Sequence, residues 1–338
     1  MKAMHLTSPR VIESSPLQLT EAIIPTPDED EILLRVSSCG ICHTDLHVIE
    51  GELPPRKLPI IPGHQVTGMA EKIGSRVKNF SIGDRVGIPW LHWACGDCEY
   101  CKHGRENLCS HAKFTGYDVD GGYTEYMAVP AGFAYSISKR FTDEEAAPLL
   151  CAGIIGYRAL RLSEVKPGQR LGLFGFGASA HIAIQVVKYW GCEVFVFSRS
   201  VHHRKLAEQL GAVWTGTADE VPPLLLHSAI MFAPAGELVP KALRVLDKGG
   251  TLALAGIHMT PIPSFDYSLI YHERTIRSVA NSTRQDGIDF LKLAAEIPIR
   301  TEVEIFPLTE ANRALQLLKS GQIRGAGVLS VKYYDTSS

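Results

Sequence analysis

Residues 172–180 read GLFGFGASA and stand between an apolar strand-like run, Arg170 to Phe174, and a run with helical spacing, Ser179 to Trp190. Few features constrain a chain more than a strand that turns through glycines straight into a helix. Gly175 would make the tight turn, Gly177 would let backbone N–H groups approach a pyrophosphate, and Ala180 offers the small side chain that lets helix pack on strand. Alone the motif is weak; its place between two clear elements strengthens it. Beyond it Glu193 to Phe197 reads as a strand and Val201 to Leu210 as a helix. Ala229 to Ala233 and, after a turn at Lys248, Gly249 and Gly250, Thr251 to Ala255 continue the strands. That alternation implies a parallel, doubly wound sheet, placed here over residues 152–280.

The first 150 residues have another texture. Pro16, Pro25 and Pro27 break short strand-like runs, Glu31 to Val36 alternates, and Val66 to Val86 is punctuated by Gly74 and Gly83. Short strands with glycine and proline turns suggest a β-rich domain. After about Ala280 the pattern weakens, and a helix over Leu308 to Lys319 with a strand over Gly327 to Tyr333 is expected to rejoin it, giving a domain of 1–151 plus 281–338. At 338 residues and 45% hydrophobic content the chain can build two sizeable cores. A formal charge of −2 with dispersed basic residues leaves no footprint for nucleic acid or an anionic membrane. No apolar run approaches the ~18 residues of a membrane span, and the N-terminus lacks a signal pattern, so the cytoplasm is the expected compartment.

In a reducing compartment eight cysteines are informative, because clustered thiols there are more often metal ligands than disulfides. Cys95, Cys98, Cys101 and Cys109 fall at gaps of three, three and eight. Thiolates so close in sequence can converge on one tetrahedral ion, which marks a closed structural zinc lobe at about 90–112. A zinc-ribbon interaction module would instead show two separated pairs and a basic surface.

The stretch from Cys39 to His64 gathers Cys42, His43, Thr44, Asp45 and His47 and then returns through a proline-rich loop. It reads as most of a catalytic zinc site, in which two ligands from this stretch need a third from elsewhere, with Cys151 the best candidate. Cys39 and Cys192 read as small buried hydrophobes, and His181, His202, His203 and His258 as structural or surface residues.

CGICHTDLH at 39–47, IPGH ending at His64, the four-cysteine lobe, CAG at 151–153 and the glycine loop together resemble a zinc-dependent alcohol dehydrogenase of the medium-chain dehydrogenase/reductase superfamily, over essentially the whole length. The resemblance implies an α/β protein: a Rossmann doubly wound parallel sheet plus a discontinuous GroES-like β-rich catalytic domain carrying the zinc lobe. It implies two zinc ions per chain, with Cys42, His64 and Cys151 holding the catalytic one. Thr44 would bond the substrate oxygen and pass its proton toward the cofactor ribose, and His47 would carry it to solvent. Asp45 would orient His64, His43 and Arg324 would face the cofactor phosphates, and Leu53 and Trp90 would narrow the substrate pocket. Read on their own residues, Asp45 could equally cap a helix and His47 lie on the surface.

The chain departs from the family pattern at two places. Many relatives carry glutamate after the zinc histidine, where this chain has Gln65, and an amide is a poorer zinc ligand. At the end of the second strand an acidic residue would bind the NAD ribose, whereas this chain has Ser198 and Arg199, with Arg204 and Lys205 close behind. Hydroxyls and a guanidinium suit a 2′-phosphate, which favours NADP over NAD. The expected activity is reversible hydride transfer between a primary or secondary alcohol and NAD(P)+, with an aldehyde reductase run in the NADPH-consuming direction as the runner-up, by a homo-oligomer (dimer or tetramer) associating near Ile257 to Ile276. A non-catalytic cofactor-binding protein on the same fold is the alternative, with one zinc per chain as its mark.

Overall fold

A computed structural model describes residues 1–331. The chain divides into two compact units: residues 1–151, 283–291 and 301–331 form the first, and 152–282 with 292–300 the second. Residues 292–300 thus group with the second unit, where Gln185 exchanges two hydrogen bonds of 2.9 Å with the Arg300 backbone.

In the first unit a seven-stranded sheet runs Val303–Pro307, Ala326–Ser330, Glu31–Gly40, Gln65–Ile73, Arg85–Ile88 and Tyr135–Ser136, and Tyr126–Pro130 pairs with Glu31–Gly40. Glu31–Gly40 is the hub. Its first half pairs with Tyr126–Pro130, its last residues pair with Ala326–Ser330, and its whole length lies beside Gln65–Ile73. The alternation expected over Glu31 to Val36 is not realised: Ile32, Leu33, Leu34 and Val36 are all buried and Arg35 alone is exposed. A central strand covered on both faces has no wet side to alternate toward. The pairing of Gly40 with Gln65 also places Cys42 and His64, since Cys42 leaves the sheet two residues after one partner and His64 enters it one residue before the other.

The second unit holds six parallel strands in the order Trp214–Gly216, Glu193–Phe197, Arg170–Phe174, Leu226–Met231, Leu246–Leu254 and Thr275–Ser278. The order reverses direction beside Arg170–Phe174, as in a doubly wound dinucleotide fold. Two expected strands are shifted. The one placed at Ala229 to Ala233 is Leu226–Met231, because the N–H groups of Phe232 and Ala233 both turn onto the Phe174 carbonyl. The one placed at Thr251 to Ala255 begins at Leu246 and carries Lys248 to Gly250 within it, with Gly249 at φ +70°.

Two helices differ from expectation as well. Leu308–Glu310 is a 3-10 turn leading into Ala311–Lys319. A helix spans Arg284–Glu296, in the region where the apolar pattern weakens. Its start carries a reciprocal cap: Thr283 Oγ1 accepts from Asp286 N–H at 3.1 Å, while Asp286 Oδ2 accepts from Thr283 N–H at 2.9 Å. The C-terminal strand is Ala326–Ser330; Tyr333, the expected end, lies outside the described residues.

Candidate functional site

Cys42 precedes the helix His43–Glu50, and Asp45 at its third position reaches back so that Oδ2 accepts the Cys42 N–H at 2.8 Å. The same carboxylate does more than cap. Its Oδ1 lies 2.8 Å from His64 Nδ1, and its Oδ2 also accepts the Tyr123 hydroxyl at 3.1 Å. Asp45, His64 and Tyr123 are all buried. Asp45 thus both caps the helix and meets the His64 ring.

With Nδ1 directed at Asp45, Nε2 is the ring nitrogen left to face the thiols; it is buried and meets no hydrogen-bond partner among the described residues. Cys42, His64 and Cys151 each bring one ligand atom, and the three lie within 4.8 Å of one another. Hydrogen bonding from Cys151 holds the Cys42 thiol well below its ordinary pKa, against burial and with help from His64, and Cys151 is raised correspondingly. Burial would lower the His64 pKa, but Asp45 and Cys42 raise it to about 10. The whole set favours positive charge at its centre. Two sulfurs and an oriented imidazole are a zinc donor set with a fourth position to spare, so the residues fit that ion.

Around this cluster stand the other expected residues. Thr44 is buried, with Oγ1 3.8 Å from Cys42 Sγ. Trp90 meets the His64 ring edge-on at 4.9 Å and stacks on Phe114 at 5.1 Å and Tyr117 at 5.9 Å. Leu53 packs against the same apolar group, so Leu53 and Trp90 do share one wall. His47, in the last turn of the helix, pairs through Nδ1 with the Glu52 carboxylate. His43 is exposed. Arg324 is exposed too, with Nε 3.7 Å from Glu302, in the turn before Ala326–Ser330. Gln65 is buried, its side chain lying against Gly40.

The second cluster is local. Cys95 Sγ lies 3.9 Å from Cys101 Sγ and 3.5 Å from Cys109 Sγ, and the four ligand atoms including that of Cys98 converge within 4.8 Å. Four sulfurs around zinc at about 2.3 Å stand roughly 3.8 Å apart, which matches, whereas a disulfide needs about 2.05 Å. Backbone N–H groups of Cys98 and His111 point at Cys95 and Cys109 sulfurs, each at 3.4 Å. Such donors stabilise thiolate, and the Cys95 pKa is lowered to about 6, chiefly by the N–H groups of Cys98 and Asp97, while burial raises Cys101 to about 12.

In the second unit Gly175 has φ +90°, and a Cβ there would come 2.9 Å from the Ala233 nitrogen. Only glycine fits. A Cβ on Gly177 would meet nothing within 4 Å, which leaves its backbone open to a ligand, and Ala180 is fully buried in the first turn of the helix Ala178–Tyr189. At the end of the next strand Arg199 is exposed, while Arg204 donates to the carbonyls of Ser198 at 2.7 Å and Arg199 at 3.2 Å. Arg204 thereby holds the loop, and Ser200 caps the helix Val201–Gln209. His181 is buried with neither ring nitrogen bonded among the described residues, and burial lowers its pKa to about 4.

Tyr123 and Glu52 belong to the site without any signal in the sequence. Tyr123 lies 78 positions from its partner Asp45, with no local pattern to betray it. Glu52 sits five positions past His47, beyond the helix end, where helical spacing no longer predicts a neighbour.

Residues 28–139 match the family model for the alcohol dehydrogenase GroES-like domain, and residues 180–296 match that for the zinc-binding dehydrogenase domain. The chain is 48% identical over 337 residues to a probable alcohol dehydrogenase of Mycobacterium tuberculosis, covering 98% of this chain and 97% of the relative. Among solved structures it is similar to a cinnamyl alcohol dehydrogenase of Sorghum bicolor, at a TM-score of 0.90 and 27% identity over 99% of each chain. It is also similar to the enzyme called CAD from Helicobacter pylori, solved with NADP(H), at a TM-score of 0.88 and 26% identity over 98% of each chain. Fold, donor sets and relatives agree, and the chain belongs to the zinc-type alcohol dehydrogenases of the medium-chain dehydrogenase/reductase superfamily.

Proposed function

We propose that this alcohol dehydrogenase works with zinc at Cys42, His64 and Cys151, holds a second zinc at Cys95, Cys98, Cys101 and Cys109, and prefers NADP(H). The observation that carries the reading is the buried His64 Nε2, left without a partner among the described residues and facing two thiols. Zinc when bound supplies a Lewis acid that favours the alkoxide form of the alcohol. Thr44, buried beside Cys42, would hydrogen-bond the substrate oxygen, and His47, oriented by Glu52, would carry the proton onward to solvent. Trp90 and Leu53 would confine the substrate chain, and His43 and Arg324, both exposed cationic or polar side chains, would meet cofactor phosphate.

The cofactor preference rests on the end of Glu193–Phe197, where the chain continues through Ser198, Arg199 and Ser200 with no carboxylate to repel a 2′-phosphate, and Arg199 is exposed to receive it. Self-association is proposed at the second unit's edge strand Thr275–Ser278, near which Ile257, Ile262, Tyr267 and Tyr271 are exposed. A dimer or tetramer of this kind would work in the cytoplasm on small alcohols and aldehydes, with no nucleic-acid or membrane partner.

The test is kcat/KM for NADPH and NADH on zinc-loaded protein with aliphatic and aromatic aldehydes. NADPH should be preferred, and Arg199→Asp should move the ratio toward NADH by about tenfold or more, the loss of a charge-assisted phosphate contact. A wild-type preference for NADH overturns the cofactor reading. Failure to oxidise either cofactor, with a single zinc per chain, would favour the non-catalytic alternative.

A further inference from the structure

The loop that delivers His64 is held from one side by a single ribbon. Gly121 N–H donates to the Ile61 carbonyl at 2.7 Å, Gly122 N–H to Gly63 at 2.9 Å, and Tyr123 N–H to Pro62 at 3.0 Å. From the end of that ribbon the Tyr123 ring folds over Gly63, so closely that a Cβ on Gly63 would lie 2.4 Å from Tyr123 Cδ1. Its hydroxyl ends on Asp45 Oδ2.

We propose that Tyr123 is a positioning residue for the metal site, its hydroxyl fixing the Asp45 carboxylate that in turn sets the plane of the His64 ring. This rests on the zinc reading of Cys42, His64 and Cys151. A carboxylate with two oxygens can rotate about its terminal torsion, which is broad and weakly restrained. Asp45 bonded only to Cys42 N–H and His64 Nδ1 would have one contact per oxygen. The Tyr123 hydroxyl adds a second donor on Oδ2, and three donors on two oxygens leave the carboxylate less freedom to turn. All three side chains are buried, so no solvent competes for those lone pairs. Aromatic bulk alone would not need the hydroxyl: phenylalanine would cover Gly63 equally well. What the oxygen adds is directed at Asp45.

Tyr123→Phe removes only that oxygen and keeps the ring, and the protein is expected to fold. Partners behind a metal-bound histidine typically govern 10- to 100-fold in metal affinity, and Tyr123 acts one bond further out. We expect zinc transfer from the Cys42 site to a chelator to accelerate about 3- to 10-fold, with release from the four-cysteine lobe unchanged. Cobalt substituted at the Cys42 site should show a shifted visible spectrum, since the ring nitrogen meets the ion at an altered angle. Unchanged release with an unchanged cobalt spectrum overturns the proposal. Equal acceleration at both sites also overturns it, because that signature is general loosening. Wild-type protein binding a single metal, in the lobe, would sink the zinc reading itself; two metals with Tyr123→Phe behaving as wild type would sink the proposal alone.

Discussion

The two cysteine clusters share sulfur donors and have opposite construction. Cys95, Cys98, Cys101 and Cys109 come from fifteen consecutive residues, largely half-exposed, and their sulfurs are held by backbone N–H groups of their own loop. Cys42, His64 and Cys151 come from three separated segments; Cys42 and His64 are brought together by the pairing of Gly40 with Gln65, Cys151 joins them from a distant segment, and buried side chains brace His64. The local cluster has only a small apolar group, Leu91, Ala94, Cys109 and Ala112, behind it, so metal binding and folding of the lobe should be closely coupled. A distributed cluster is shaped by the core before any ion arrives. That is how a site can give up a ligand position to substrate without losing its form.

Breaking each cluster at one sulfur tests this most sharply. Cys42→Ser or Cys151→Ser should abolish turnover, by about 10³-fold or more, because Lewis-acid assistance and substrate orientation disappear together. Metal content should fall from two to one per chain with the melting temperature held within a few degrees. Cys101→Ser should also remove one metal but lower the melting temperature by roughly 5–10 °C, since a structural ion contributes folding energy. Activity should then decline only in step with unfolding. Metal analysis beside calorimetry reads both. A Cys42 variant that melts as early as the Cys101 variant would erase the distinction.

Glycine substitutions sharpen it without touching a ligand. Gly63 has φ +98°, and an added methyl would lie 2.4 Å from the Tyr123 ring and 2.8 Å from Cys39 Sγ. Gly63→Ala should therefore cost backbone strain plus overpacking, roughly 2–5 kcal/mol together, and displace His64. Gly96 and Gly104 in the lobe also have positive φ, +78° and +63°, but a methyl there meets nothing within 4 Å. Alanine at either should cost only the strain, about 1–2 kcal/mol. Urea denaturation of the three variants orders them, and equal costs would mean that the loop before His64 is no rigid brace.

The same contrast governs what the chain reveals before it is folded. The lobe is legible because four cysteines in one loop declare themselves by spacing, and the dinucleotide loop because Gly175, Gly177 and Ala180 sit between a strand and a helix of clear period. Cys42 and His64 suggest a metal site by lying in one stretch, but Cys151 is only the best candidate for a third ligand there, and the resemblance to a family is what names the three together. Tyr123 stays hidden because it meets Asp45 across 78 positions, held by loop hydrogen bonds to residues 61–63 that sequence spacing does not encode. The strand at Glu31 reads as half-wet because Glu31 and Arg35 suggest an alternation that Leu33 contradicts once both faces are covered. The helix Arg284–Glu296 escapes a reading by apolar period, although the cap formed by Thr283 and Asp286 marks its start.

The smallest effect is expected at the wet margin of the distributed site, where its buried bracing ends. The His47 side chain is 14% exposed and its partner Glu52 48% exposed. Exposed ion pairs contribute little to stability, about 0–1 kcal/mol, so Glu52→Ala should leave the melting temperature almost unmoved. Its effect should fall instead on the imidazole tautomer, because Glu52 favours a proton on Nδ1 and leaves Nε2 to exchange with the proton route. Turnover should drop about threefold, which corresponds to roughly 0.7 kcal/mol, with KM for the cofactor unchanged. Nitrogen-15 shifts of the His47 ring should show the mixed tautomer in the variant and the Nδ1–H form in the wild type. In a His47→Asn background the Glu52 substitution should do nothing further. A threefold loss that persists there would show that Glu52 does not act through His47.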